Sequence, residues 1–202
     1  FVVQNYEPVE LEHETVNDID SFLGYEVYYK FYDPGSTSPG GADGEFSADR
    51  TAIEAASPGN LVATLESRGY FRAYTSRFEE KPALRIDPAE KGVSFDFQLG
   101  FQQLSGSSPA TASWDAVAPR QVEIYRNQNR FSNPETPIGF VSGQITPSDP
   151  DVPDSVEPGV EEIPMGIAVA SYGVDFLTGT FAEIYSAAVT TNRLLNMEIT
   201  NP

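Results

Sequence analysis

Between Phe22 and Tyr32 the chain alternates in a way that leaves few options for its fold. Leu23, Tyr25, Val27, Tyr29 and Phe31 fall on one side of an extended backbone, and Glu26, Tyr28, Lys30 and Tyr32 fall on the other. That is the period-two pattern of a strand with one buried face. β-Branched and aromatic side chains suit a pleated backbone. Asp33-Pro34-Gly35 ends the run, because proline fixes φ and glycine accepts positive φ. The stretch is expected to be the central strand of a sheet.

The same period recurs elsewhere. Val9, Leu11 and His13 alternate with Glu10, Glu12 and Glu14, and Val93, Phe95, Phe97, Leu99 and Phe101 alternate with polar residues or glycine. Residues 70–75, 84–86, 121–126 and 138–145 are expected to be further strands, and 167–176 with 183–191 a hairpin turned at 177–180. Two short helices are predicted, over Ala48–Ala56 and over Asn60–Arg68, the second with Asn60 as its N-cap and Gly69 just past its end. Residues 35–44 and 105–113 are rich in glycine and serine and are expected to be loops, as is the proline-rich acidic stretch 147–159. With 16 Gly and 16 Pro marking frequent turns, the expected fold class is an all-β antiparallel sandwich with one or two short helices. A single domain over 1–202 is expected, with core strands near 9–32 and 166–199 and an insertion or elaboration over 33–165.

Val9-x-Leu11-x-His13, a short Asp-containing turn and Gly24-Tyr25-Glu26-Val27-Tyr28-Tyr29-Lys30 resemble the B and C strands of a fibronectin type III domain, with His13 standing where that family has Trp. Ile167-Ala-Val-Ala170 and Ser186-x-x-Val189-Thr190-Thr191 resemble its F and G strands. The resemblance implies an immunoglobulin-like sandwich whose loops bind a partner. Ser21-Phe-Leu-Gly-Tyr-Glu-Val-Tyr-Tyr-Lys-Phe-Tyr-Asp33 is similar to uncharacterised cell-envelope lipoproteins of bacteria, spirochaetes especially, which implies an exported, lipid-anchored protein. The start at Phe1 instead of methionine fits the same expectation, a leader or longer segment having been removed.

Thirty acidic residues against 12 basic ones give a net charge of −18, so nucleic acids and anionic membranes are repelled. No run of about 18 apolar residues occurs, so no membrane-spanning helix is expected. The only membrane contact expected is a lipid anchor upstream of residue 1. With no cysteine and one histidine, neither a thiolate site nor zinc has ligands. His13 is expected to be a packed strand histidine, not part of a triad. Calcium is the one metal left open, because oxygen ligands crowd the loops: Asp18 and Asp20, Asp43 and Glu45, and above all Asp149, Asp151 and Asp154, with Glu157, Glu161 and Glu162 nearby. None of these follows the Asp-x-Asp-x-Asp-Gly spacing, and no cofactor is expected.

The reading that follows is a non-enzymatic binding or adhesion module, a monomer, with a protein or a glycan as partner. Two alternatives stay open. One is a carbohydrate-binding module using a platform of Trp114, Tyr28, Tyr32 and Tyr125; the other is a hydrolase working through a pair of carboxylates.

Overall fold

The computed structural model describes residues 9–15, 20–75, 80–101, 110–127, 138–140, 144–176, 179 and 181–200. The alternating stretch is β2 (Phe22–Phe31). Before it comes β1 (Val9–His13), and after it α1 (Gly41–Glu54), α2 (Leu61–Ser67), β3 (Phe71–Arg72), β4 (Leu84–Arg85), β5 (Phe95–Gly100), β6 (Ala110–Asp115) and β7 (Pro119–Ile124). The chain closes with β8 (Glu162–Asp175), β9 (Ala182–Thr190) and β10 (Leu195–Glu198).

Among the described residues every pairing is antiparallel, and the strands form two sheets. One runs β1-β5-β6-β7. In the other, β2 and β8 lie side by side at the centre, with β9 and β10 along the outer edge of β8 and β3 and β4 along that of β2. The chain is an all-β sandwich carrying two short helices. Although β1 and β2 are consecutive, they belong to opposite sheets, and β2, β8 and β9 are neighbours.

Between the sheets Tyr25, Val27, Tyr29 and Phe31 meet Phe95, Phe97, Leu99, Ala110, Ala112 and Trp114, and Val169 shares this interior with Tyr25. On β5 the burial alternates residue by residue, as the sequence pattern predicts. Near the start of β2 the pairing register shifts between Phe22 and Gly24. As a result Phe22 enters the intersheet core, while Leu23, expected beside Tyr25, packs on the opposite face. A bulge of this kind reverses which residues face inward.

The stretch 33–165 contributes both helices and three of the four strands of the first sheet. Its helices form a third layer. Ile53, Leu61 and Leu65 pack with Tyr28, Ala168, Ala170, Tyr172, Tyr185 and Ala188 on the far side of the second sheet, so β2 is covered on both faces. α1 starts at Gly41, inside the stretch expected to be a loop, because a Cβ on Gly44 would stand 1.9 Å from the Pro39 carbonyl oxygen and glycine lets the first turn close there. β6 takes in the end of the other expected loop: Ala110 and Ala112 point inward, too small to register as hydrophobic alternation. Of the expected strand 138–145, Gly139 makes an isolated bridge to Tyr125, and 141–143 lie outside the described residues.

Candidate functional site

The expected platform is not assembled. Trp114 is 4% exposed on the inner face of β6. Its Nε1–H donates to Glu90 Oε1 at 2.9 Å, and the Arg120 guanidinium lies 4.7 Å from its ring centroid. Tyr28 and Tyr32 are buried by the helical layer; the Tyr32 hydroxyl donates to Asp49 Oδ2 at 3.0 Å and lies 2.9 Å from that of Tyr70. Tyr125 alone is partly exposed. Its hydroxyl bonds to Glu123, and desolvation together with that carboxylate pushes it up to about 12. The strand pattern sorted these residues into two faces without indicating that a third layer covers the outer one.

Two of the expected calcium ligands, Asp149 and Asp151, are already occupied. Arg126, whose side chain is 0% exposed, ion-pairs with Asp149 at 2.7 Å and with Asp151, itself 0% exposed. The same guanidinium donates to the Gln144 carbonyl at 2.8 Å, and the Tyr29 hydroxyl donates to Asp151 at 2.5 Å. Burial opposes the charge on Arg126, yet Asp151 and Asp149 hold its pKa above the usual arginine range. Asp154 points to solvent. Among the described residues, which exclude Asp18, no three carboxylates or histidines gather as a metal would require. His13 is buried, with Nδ1 2.6 Å from the Tyr25 hydroxyl and its ring between Phe22 and Phe95, a packed strand histidine.

What the fold does assemble is a cleft of about 670 Å³ at the edge of the second sheet, where α2 meets β3. Its shape begins with the end of α2. Gly69 adopts a φ of 79°, and the N–H groups of Gly69 and Tyr70 bond back to the carbonyls of Glu66 and Leu65, the left-handed helix stop that glycine favours. The chain therefore doubles back, and β3 pairs with β2, setting Arg72 opposite Tyr28. On that face Glu26 is the next residue along β2. Arg72 grips it with two hydrogen bonds, 2.6 and 3.1 Å, and gives a third, 2.6 Å, to the Glu80 carbonyl. The ring of Tyr74 lies 5.0 Å from the guanidinium.

Lys81 closes the other side. It donates to both Glu183 oxygens at 2.9 and 2.7 Å and to the Tyr185 hydroxyl at 3.1 Å, while the Tyr185 and Tyr172 hydroxyls donate to Glu183 at 3.2 and 3.4 Å. Val62 and Glu66 line the α2 side, Glu66 exposed at the rim.

The two acids behind this wall are displaced in opposite directions. Burial raises Glu26 above the usual carboxylate range despite the pull of Arg72. Partial burial acts the same way on Glu183, but the Lys81 ammonium outweighs it and lowers that acid. Burial also raises the hydroxyls of Tyr28 and Tyr185, so both stay protonated, hydrogen-bonding phenols at neutral pH.

A titration checks this. A raised folded-state pKa means that Glu26 favours the fold most below its unfolded value of 4.5 and that this contribution fades as pH rises through the raised value. The stability of the native chain relative to Glu26→Gln should therefore fall above pH 4.5, measured by urea unfolding at a series of pH values. Glu183, lowered, should show the reverse, its contribution fading as pH falls below 4.5.

The cleft draws on four separate stretches of chain, at Tyr28, Val62 to Tyr74, Lys81 and Asn127, which is why no motif announced it. The one signal was scarcity: Arg72 and Lys81 are two of only 12 basic residues. No protein-family model matches this chain, and neither a curated protein nor a solved structure does.

Proposed function

We propose that the chain is a non-enzymatic binding module of the cell envelope, and that the cleft beside α2 and β3 holds its ligand. The cleft carries this reading. It is concave, of a volume typical of ligand sites, and combines tyrosines with a few oriented polar groups. The connectivity supports a fibronectin type III-like framework: β2, β8 and β9 follow one another as strands C, F and G do in immunoglobulin-like sandwiches, with β1 in the opposite sheet as strand B is. The compartment follows from the sequence resemblances, and a monomer is the expected state.

A carboxylate hydrolase would need two acids that reach the substrate. Glu26 is fully buried in the grip of Arg72, and Glu183 is held by Lys81, which favours binding over turnover. The test pairs two measurements on the full chain. Tyrosine-ring resonances of Tyr28, Tyr70 and Tyr74 should shift on ligand addition, and a broad panel of hydrolase substrates should remain intact. Turnover that disappears in Glu26→Gln or Glu183→Gln would refute the reading, and fractionation to the cytoplasm of the native cells would refute the compartment.

A further inference from the structure

We infer that the ligand of this cleft is a neutral, polyhydroxylated molecule, a short saccharide, an inference that rests on the reading of the chain as a binding module. The charges decide the class. Both cations of the wall already have a carboxylate of their own, Arg72 with Glu26 and Lys81 with Glu183. An anionic ligand would have to compete with those acids for the same N–H groups, and the net charge of −18 would repel it at long range. A cationic ligand is drawn by that field but meets a guanidinium and an ammonium at the inner wall, with Glu66 at the rim as the acid left to receive it. Drawing Arg72 away from the fully buried Glu26 leaves that carboxylate without its partner and costs more than the exchange returns, whereas the Lys81–Glu183 pair is partly exposed.

A neutral ligand avoids both penalties. On the lining itself the Glu66 carboxylate, an acceptor, stands with the donors of Arg72 and Lys81 and the amide of Asn127, the mixed set that adjacent hydroxyl groups require, since each both gives and accepts a hydrogen bond. Val62 and the ring of Tyr74 supply apolar surface on the same lining, suited to the C–H face of a pyranose ring. At about 670 Å³ the space lies within the ~300–1,000 Å³ common for such sites.

Calorimetry and tyrosine NMR on the full chain test the class, with cellobiose, maltose and N,N′-diacetylchitobiose as neutral probes, a digalacturonate as the anion and spermidine as the cation. At least one neutral disaccharide should bind, with an affinity that changes little between about 50 and 500 mM salt, because uncharged ligands escape screening. Glu66→Ala and Lys81→Met should each weaken it about tenfold, the loss of a hydrogen bond from a charged group. Asp115→Asn, on the other sheet, should leave it unchanged. Silence from all three neutral probes overturns the inference, as does binding that neither cleft variant alters. If only digalacturonate or spermidine moves the cleft tyrosines, the ligand class fails while the binding-module reading stands. If a bound disaccharide is cleaved, the module reading fails while the ligand class stands.

Discussion

Arg126→Met is expected to destabilise the fold by about 3–5 kcal/mol, the range for removing one partner of a buried ion pair. The reason is what remains behind. Asp151 would be left buried without the guanidinium that pairs with it, with the Tyr29 hydroxyl as its remaining donor. Urea unfolding should show a large fall in the midpoint at an unchanged slope, since the exposed surface does not change. The double variant Arg126→Met with Asp151→Leu should recover most of the loss, because an apolar pair needs no counter-charge. A loss below about 0.5 kcal/mol in the single variant, the level of an ordinary surface change, would mean that the guanidinium is solvated and the network is not an internal fastening.

A comparable loss, about 3–5 kcal/mol, is expected for Phe97→Ala, while Gln98→Ala, the next residue of β5, should stay within about 0.5 kcal/mol. Phe97 sits at the middle of the intersheet core, its ring centroid 5.1 Å from that of Tyr25 on the opposite sheet, 5.1 Å from that of Trp114 and 5.0 Å from that of Phe95. Truncating it leaves a cavity that these three rings cannot close without moving. Gln98 faces solvent between Glu10 on β1 and Ser113 on β6. Equal effects at the two positions would show that β5 is not covered on one side only, and would remove the basis for the two-sheet arrangement.

The two predictions differ in how far each could be read from the chain alone. Phe97 was legible, because five apolar residues at every second position form one face of a strand whatever that strand pairs with. Arg126 was not. It follows a strand pattern as an ordinary polar residue, and its partners lie 23 and 25 positions away in an acidic loop that reads as solvent-exposed or as a cation site. The cleft was equally hidden, since Glu26, Arg72, Lys81 and Glu183 become neighbours only when β3 pairs with β2 and β9 with β8.

The sequence by itself determined the strands of highest contrast, β1, β2, β5 and the β8–β9 hairpin, and with them an antiparallel sandwich, because side-chain alternation is a local property of an extended backbone. Tertiary structure alone decided that Tyr28 and Tyr32 lie beneath helices, that Ala110 and Ala112 belong to a strand, and that Arg126 is an internal cation. Each of these depends on what lies across a gap from the residue, and alternation carries no information about the far side of a gap. The physical reason is that burial and charge pairing are properties of contacts between distant segments, settled only when the layers close on one another.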